Sequence, residues 1–318
     1  MEGFGMSDTP DGMIPSDRMV AAMAAWRGAN TVRVPLNEQC WLGLAGVKPE
    51  YAGAPYRQAI AALVSRLTAH GFVTILDLHR SAPGSAASRE QEQMPDRDHS
   101  PQFWASVAGT FGPDPSVVFD LFNEPFPYQE QGSARAWDCW RDGGCSLTST
   151  NSGSSYTAAG MRELVDAVRS TGARNILLLS GIYWAEDLTR WLQERPADPA
   201  GQVAASVHLY SFNSCSTTRC YDRELAPVAA QVPLLAAELG PDLTRSGADL
   251  DATCPPGYVG QTGFSARTVD WLGAHGAGWV AWAWTPSGDC WALTSDWSGT
   301  PTPRWGRLLR GELAAVHR

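Results

Sequence analysis

The chain has 318 residues and a net charge of -9 at pH 7, and this acidic balance argues against nucleic acid or an anionic membrane as a partner. No apolar run approaches the roughly 18 residues that a transmembrane helix needs, and residues 1–10 lack the basic start and apolar core of a signal peptide. A chain of this length can form one large hydrophobic core, so we expect a single domain over residues 1–318 that acts as a monomer.

Short apolar runs alternate with amphipathic runs along the whole chain. The predicted strands cover residues 31–36, 72–79, 117–124, 175–180, 202–210, 232–238 and 278–284. The predicted helices cover residues 16–28, 56–71, 102–110, 156–172, 185–193, 222–231, 264–275 and 303–316, and the long loops cover residues 126–155 and 241–261. Strands that alternate with helices are typical of an α/β fold with a parallel sheet and right-handed crossovers.

The alternation predicts a (β/α)8 TIM barrel, but it supplies seven strands rather than eight. Residues 1–15 are too polar and too rich in Gly and Pro to form a buried strand. We therefore interpret the chain as a barrel whose first strand is missing from this sequence. Cys40 is the odd cysteine of the seven, and it is either free and buried or paired with a cysteine of that missing segment.

The other six cysteines fall into two close pairs and one distant pair. Close pairs across short loops favour disulfides in an oxidising compartment, so we expect a secreted, extracellular protein. A zinc site is the alternative, and it is disfavoured because no Cys-x-x-Cys spacing occurs and no His lies at ligand spacing from two cysteines. The candidate disulfides join Cys139 with Cys145, Cys215 with Cys220, and Cys254 with Cys290.

Two of the predicted strands end in a glutamate. The apolar run 117–122 stops at Asn123-Glu124-Pro125, where the proline cannot continue a ladder, and another run stops at Glu238. In a barrel of parallel strands the active site forms at the carboxyl ends of the strands, so polar groups there indicate catalysis. We therefore expect Glu124 and Glu238 to face each other as a catalytic pair.

Six of the seven strands end in polar or aromatic side chains, which converge on one face of the barrel. Paired carboxyls surrounded by such groups match the needs of glycoside hydrolysis, in which one carboxyl is a neutral acid and the other is ionised. Beside the two glutamates, the candidate substrate-binding residues are Arg33, Asn37, Trp41, His79, Asn123, His208, Tyr210, Trp282 and Trp284.

The order of these motifs resembles glycoside hydrolase family 5, the cellulase family of clan A. The resemblance runs from Asn-Thr-Val-Arg-Val-Pro at 30–35 through Asn-Glu-Pro at 123–125 and His-Leu-Tyr at 208–210 to the strand that ends at Glu238 and the Trp-rich last strand. Pro-Leu-Asn-Glu-Gln-Cys-Trp-Leu-Gly at 35–43 is similar to secreted actinobacterial members of a cellulase-like group. The resemblance implies a barrel over essentially the whole chain and a retaining hydrolase of β-glycosides.

The resemblance also implies a role for each residue nearest the reaction. Glu238 would be the nucleophile that forms a glycosyl-enzyme, and Glu124 would be the acid/base, with the two carboxyls about 5 Å apart. Asn123 would hydrogen-bond the sugar 2-hydroxyl. Arg33 and Tyr210 would keep the nucleophile ionised and aligned.

The remaining side chains are expected around the sugar. His208 would orient the acid/base or bind the sugar, and His79 would bind a substrate hydroxyl. Either Trp282 or Trp284 would form the hydrophobic floor of the -1 subsite, because residues two apart on a strand share a face. Trp41, on the loop after the first predicted strand, would be an outer sugar platform.

The sequence leaves three alternatives to a retaining glycoside hydrolase. A metal-dependent barrel hydrolase is disfavoured because the strand reads Asp77-Leu78-His79 rather than His-x-His, and we expect no metal or cofactor. A serine nucleophile is disfavoured because no Gly-x-Ser-x-Gly elbow occurs. A carbohydrate-binding barrel that has lost turnover remains the non-enzymatic alternative.

The expected substrate is a β-linked oligosaccharide or polysaccharide. Internal cleavage of a β-1,4-glucan is the first expectation, and cleavage of a mannan or a small β-glycoside is the alternative. Specificity depends on the long loops 84–101, 126–155 and 241–261, because loops that surround a conserved scaffold carry the variable contacts.

Overall fold

The computed structural model describes residues 14–243 and 263–315. The described residues contain nine strands, seven of which belong to one parallel sheet. The strands are β1 (Thr31–Asn37), β2 (Val73–Arg80), β3 (Val117–Asp120), β4 (Gly143–Thr148), β5 (Ser155–Ala159), β6 (Leu177–Ser180), β7 (Val203–Leu209), β8 (Leu234–Leu239) and β9 (Gly278–Ala281).

The parallel sheet has the strand order β1-β2-β3-β6-β7-β8-β9 and curls into a nearly closed barrel. Within the described part of the chain, the edge strands β1 and β9 approach each other without pairing. The apolar runs form strands because their side chains can be buried on both faces of a parallel sheet, and every residue of β3 and β6 is buried. The predicted TIM-barrel class and its seven barrel strands are confirmed.

Helices pack around the outside of the barrel. Their ends follow local signals: α1 begins after Ser16, whose hydroxyl accepts a hydrogen bond from the Met19 amide. No helix of the described residues is long and apolar enough to cross a lipid bilayer. The helices are α1 (Asp17–Ala24), α2 (Glu38–Leu42), α3 (Ala54–Ala69), α4 (Ser100–Phe111), α5 (Ala134–Asp142), α6 (Met161–Arg169), α7 (Ile182–Ala185), α8 (Trp191–Glu194), α9 (Thr218–Glu224), α10 (Ala226–Ala229), α11 (Phe264–Ala274) and α12 (Trp305–Ala315).

An antiparallel hairpin, β4–β5, departs from the prediction. Residues 126–155 were expected to form a loop, but they contain α5 and β4. The predicted helix 156–172 begins only at Met161, because residues 155–159 pair with β4. The predicted helix 185–193 is also absent, and the two short helices α7 and α8 lie at its ends. The hairpin forms where exposed and buried residues alternate, which is the period of a strand.

Two of the predicted disulfides are present. The Cys139–Cys145 bond ties α5 to β4, and the Cys215–Cys220 bond holds the first turn of α9. Cys290 is disulfide-bonded as well, and its expected partner, Cys254, lies outside the described residues. These bonds sit in the loops and helices around the barrel rather than in its strands.

The parallel register brings the carboxyl ends of the strands to one rim of the barrel. Asp77 of β2 lies opposite Asp120 of β3, and His208 of β7 lies opposite Glu238 of β8. The pairing of β7 with β8 shifts register immediately before His208. Such bulges are common beside active sites because they re-aim a side chain, and here the shift places His208 and Glu238 side by side.

Candidate active site

The two predicted glutamates lie at the carboxyl rim of the barrel. Glu238 belongs to β8, and Glu124 lies four residues beyond the end of β3. Both line a cavity of about 1280 Å³, which continues from the rim along β1 and β9 toward α1 and α12. The Glu124 side chain is 18% exposed and the Glu238 side chain is 5% exposed, so both carboxyls are largely withdrawn from solvent but open to the cavity.

A carboxyl–imidazole cluster of Glu124, His208 and Glu238 forms the centre of the site. One donor atom from each lies within 4.8 Å of the others. The His208 Nδ1 atom is 2.8 Å from Glu124 Oε1 and 3.5 Å from Glu238 Oε2. Burial raises the pKa of Glu124 to about 7 and lowers the pKa of His208 to about 4. At neutral pH the His208 imidazole is therefore uncharged, and Glu124 is present in comparable amounts as the neutral acid and as the carboxylate.

The Arg33 guanidinium holds three acidic groups and an amide in fixed positions. Its Nη1 donates to Glu238 Oε1 at 2.8 Å, its Nε donates to Asp120 at 2.9 Å, and its Nη2 donates to Asn123 Oδ1 at 2.9 Å and lies 3.0 Å from Asp77. Burial alone would lower the pKa of Arg33, but the three surrounding carboxylates outweigh it and raise the pKa above its ordinary value. Arg33 is therefore a permanent cation that couples its own strand, β1, to β2, β3 and β8.

The second hydrogen bond to Glu238 comes from a tyrosine. The Tyr210 hydroxyl donates to Glu238 Oε2 at 2.5 Å, and burial raises the pKa of this phenol well above its ordinary value, so it remains a donor. The ring lies so close to the chain after β8 that a Cβ at Gly240 would come within 2.1 Å of it. Only glycine at this position leaves room for the ring. With Arg33 on one oxygen and Tyr210 on the other, each oxygen of Glu238 has a fixed donor.

His79 and Trp282 lie side by side in the lining of the cavity. His79 Nδ1 lies 2.7 Å from Asp77 Oδ2, and the imidazole stacks on the Trp282 ring with centroids 5.5 Å apart and an interplanar angle of 7°. Trp284 instead packs edge-on against Trp26 at 4.9 Å. Trp282 and Trp284 were expected to share one face of a strand. They do not, because β9 ends at Ala281 and both residues follow it.

Asn123 is oriented by a residue that the sequence did not single out. Gln91 lies on the loop between β2 and α4, and its Oε1 accepts a hydrogen bond from Asn123 Nδ2 at 3.1 Å. The Gln91 Nε2 donates to the Glu124 carbonyl at 2.9 Å. Since Arg33 donates to the other end of the Asn123 amide, the amide cannot rotate freely and its position is set on both sides.

Two predicted substrate-binding residues do not lie in the site. Asn37 is fully buried and caps α2, where its side chain accepts a hydrogen bond from the Cys40 amide. Trp41 is also fully buried and packs edge-on against Tyr56 and Phe103. These placements contradict the expectation that both residues bind the sugar. The Asn37 side chain is used as the N-cap of α2, and the helix, which begins directly after β1, carries Trp41 into the core.

Cys40, which lies between these two residues, is buried as well. Burial raises the pKa of its thiol to about 12, so the thiol stays protonated at neutral pH and is a poor nucleophile. The odd cysteine therefore behaves as a small core side chain in this structure.

The cavity is also lined by side chains that were not predicted, because no strand-end pattern marks them. Among them are Trp184 of α7, Glu186 directly after it, Phe212 on the loop after β7 and Trp291 on the loop after β9. A cluster of aromatic residues interrupted by acids in these loops is the signal that could have indicated them.

A second group of donor atoms close enough to hold a cation lies outside the cavity centre. It consists of Glu38, Asp96 and His99, and the Ala82 amide donates to both carboxyls at 2.7 and 3.1 Å. Burial, followed by the charge of Asp96, raises the pKa of Glu38 well above its ordinary value. A protonated Glu38 beside an ionised Asp96 accounts for this arrangement through hydrogen bonds alone.

Comparisons with known proteins agree with the fold and the motifs. The family model described as Cellulase (glycosyl hydrolase family 5) matches residues 2–288. Endoglucanase 1 from Robillarda sp. (strain Y-20) is 22% identical over 204 residues, which cover 59% of this chain and 46% of that enzyme. The matching region thus spans about half the length of this curated relative.

Solved structures show the same fold at low sequence identity. A β-glucanase from Saccharophagus degradans superposes with a TM-score of 0.69 at 19% identity, covering 95% of this chain and 83% of that one. The catalytic domain of a mannanase from Streptomyces sp. SirexAA-E superposes with a TM-score of 0.66 at 19% identity, covering 95% and 82%. With the family model matching most of the sequence, the chain belongs to the cellulase family, glycosyl hydrolase family 5.

Proposed function

We propose that this protein is a retaining β-glycoside hydrolase that cleaves β-1,4-glucan chains internally. The observation that carries the proposal is the carboxyl–imidazole cluster, in which oxygens of Glu124 and Glu238 lie within 4.8 Å of each other in different environments. Retaining glycosidases need such a close pair, whereas inverting enzymes hold the carboxyls further apart to admit a water molecule.

Glu238 is the nucleophile in this proposal. Arg33 and Tyr210 donate to its two oxygens, and both bonds favour the ionised carboxylate. In the first step a Glu238 oxygen forms a bond to the anomeric carbon while the bond from that carbon to the leaving oxygen breaks. Formation of the ester neutralises the Glu238 carboxylate, and the leaving oxygen receives the proton of Glu124 as its bond to the anomeric carbon breaks.

Glu124 is the acid/base. Burial raises its pKa to about 7, so a large fraction is protonated at neutral pH and can give its proton to the leaving oxygen. In the second step the same carboxylate takes a proton from water, the water oxygen bonds to the anomeric carbon, and Glu238 is released. His208 contacts both carboxyls but is neutral, and it holds Glu124 by the bond at Nδ1.

The -1 sugar is held by the surrounding side chains. Asn123 is fixed between Arg33 and Gln91 and offers its amide to the sugar 2-hydroxyl, a contact that strengthens in the transition state. Trp282 forms the hydrophobic floor, because it is the tryptophan that lines the cavity beside His79, and His79 binds a substrate hydroxyl.

Two kinds of relative support a β-1,4-linked substrate. The β-glucanase with the same fold has been crystallised with cellotetraose, and the curated relative is an endoglucanase. The similar mannanase favours a β-mannan as the second candidate. The disulfides favour an extracellular site of action. The proposed enzyme is a monomer of one domain.

The test is hydrolysis of carboxymethyl-cellulose, mannan and aryl β-glycosides, with product anomers followed by proton NMR. We expect the β-anomer to appear first, and Glu238→Gln to abolish turnover. Glu50→Gln, which removes an exposed carboxylate, is the matched control and should be fully active. An α-anomer would contradict the retaining mechanism. Binding of oligosaccharide without turnover would instead support a carbohydrate-binding barrel.

A further inference from the structure

The loop segment 89–93 lies between the active site and the β4–β5 hairpin. On the side of the site, the Gln91 side chain accepts a hydrogen bond from Asn123 and donates one to the Glu124 carbonyl. The segment belongs to no helix or strand, so no ladder of backbone hydrogen bonds fixes its path. The position of Gln91 therefore depends on the groups that hold the other side of the segment.

Asn151, in the turn 149–154 of the hairpin, holds that other side. Its Oδ1 accepts hydrogen bonds from the amides of Arg89 and Glu90 at 2.9 and 2.8 Å. Its Nδ2 donates to the Glu90 carbonyl at 2.9 Å and to Glu92 Oε1 at 2.8 Å. An asparagine amide has an acceptor at one end and two donors at the other, and Asn151 uses both ends on this one segment.

Glu92 anchors the turn of the hairpin in return. It is fully buried, and its two oxygens accept hydrogen bonds from the Ser149 hydroxyl at 2.6 Å and from the Thr150 amide at 2.8 Å. Hydrogen bonds to an ionised acceptor are stronger than those between neutral groups. The next residue, Gln93, donates from its side chain to the Thr148 carbonyl at 3.1 Å. The contacts run in both directions, so the segment and the turn form one hydrogen-bonded unit.

The hairpin is itself held in place, as a support must be. The Tyr156 hydroxyl of β5 donates to the Met94 carbonyl at 3.1 Å and accepts from the Met94 amide at the same distance. At the other strand, the Cys139–Cys145 disulfide ties β4 to α5. The hairpin is therefore fixed at both of its strands, and the turn between them can hold the segment still.

We propose that Asn151 and Glu92 are positioning residues of the active site, which act through Gln91 on Asn123 and Glu124. In this role the hairpin supports the reaction by fixing the loop segment rather than by contact with the substrate. Without that support the Asn123 amide would rotate more freely and lose part of its contact with the sugar 2-hydroxyl. This proposal rests on the proposed function, because the contact of Asn123 with the sugar belongs to it.

The kinetic test compares two substrates that differ only at the 2-hydroxyl of the reacting sugar. The first is a dinitrophenyl β-cellobioside or β-mannobioside, whose leaving group is a stable anion and needs little help from an acid. For Asn151→Ala, kcat/KM on this substrate should fall about three- to tenfold, the loss expected when one hydrogen bond is weakened. On the 2-deoxy analogue, which cannot make the Asn123 contact, kcat/KM should stay within about twofold of the wild-type value. Equal losses on both substrates, or no loss on the first, would overturn the proposal.

Further variants separate positioning from general damage to the turn. In a Gln91→Ala background, Asn151→Ala should change kcat/KM by less than about twofold, because the side chain that it positions is already absent. Glu92→Ala should show the same difference between the two substrates as Asn151→Ala. The control is Thr150→Ala, which removes an exposed side chain from the same turn and should keep the wild-type kcat/KM. Losses that multiply in the double variant, or an equal loss in the control, would overturn the proposal.

Hydrogen exchange tests the positioning without any turnover. The Phe126 amide, two residues beyond Glu124, donates to the Gln93 carbonyl at 2.9 Å, so its exchange rate reports whether the segment stays in place. In Asn151→Ala this amide should exchange faster, while the amides of β7 should not. If the wild type hydrolyses nothing, the proposed function fails, but faster exchange at Phe126 still supports the positioning role. Unchanged exchange at Phe126, or an equal increase in β7, overturns that role.

Discussion

Tyr210→Phe removes one hydroxyl from the site and leaves the ring in place. That hydroxyl donates to Glu238 at 2.5 Å, and the phenyl ring that remains can still stack on Phe212 and contact Trp291. A hydrogen bond to a buried carboxylate contributes about 1.5–3 kcal/mol. Because about 1.4 kcal/mol corresponds to a tenfold change in rate, the loss is worth roughly ten- to a hundredfold in kcat/KM.

The direction follows from what the bond does for the nucleophile. The hydroxyl fixes the Glu238 oxygen that Arg33 does not hold, so its loss leaves the nucleophile less well positioned for attack on the anomeric carbon. We expect kcat/KM on an aryl β-glycoside to fall by roughly ten- to a hundredfold. A kcat/KM that does not fall in Tyr210→Phe would refute the reasoning.

A second tyrosine provides the control. Tyr221 is buried outside the cavity, and its hydroxyl lies 3.2 Å from the Thr268 hydroxyl. Tyr221→Phe removes a buried hydroxyl of the same kind but touches no catalytic group. We expect it to lower the melting temperature slightly and leave kcat/KM unchanged, so a loss of kcat/KM in both variants would point to a general loss of stability instead.

Three further predictions concern the acid, its neighbour and a second carboxyl pair. Because the pKa of Glu124 is raised to about 7, kcat/KM should fall as the pH rises through that value, and a profile that stays flat there would contradict Glu124 as the acid. Gln91→Ala releases the Asn123 amide and the Glu124 carbonyl, so kcat/KM should fall about five- to tenfold with little change in thermal unfolding; a matching loss of stability would indicate a structural role. Burial and Asp96 raise the pKa of Glu38 in the folded state, so its stabilising contribution is complete at acidic pH and is lost as the pH rises from about 4.5 toward that raised value. Glu38→Gln, which cannot ionise, should therefore be more stable than the wild type in urea unfolding at neutral pH but not at pH 4, and parallel pH dependences would contradict this.

The barrel and its central residues were predictable because their signals are local. An apolar run that stops at a polar residue marks a buried strand and its carboxyl end, and parallel pairing then brings such ends to one rim. Glu124, Asn123, His208 and Glu238 could all be found in this way. The contact of Arg33 with Glu238 was expected from the resemblance to the family, whereas its contacts with Asp77, Asp120 and Asn123 were not predicted.

The same reasoning failed where a helix follows a strand at once. Asn37 ends β1 like other site residues, but it is also the N-cap of α2, and the helix turns Trp41 into the core. Gln91, Glu186 and Phe212 could not be placed because they lie on loops, where neither residue type nor spacing fixes the path of the chain. The hairpin β4–β5 was missed because its residues are rich in Gly and Ser, which favour turns in a sequence-based prediction.

Gly240 illustrates how a position can control a reaction that it never touches. Since any added side-chain atom there would collide with the Tyr210 ring, a substitution would push the ring away and take its hydroxyl off Glu238. In a library of single variants screened for activity, Gly240 would therefore score like a catalytic residue although it offers no functional group. Any redesign of this site should vary Gly240 and Tyr210 together, because the glycine determines where the tyrosine ring can lie.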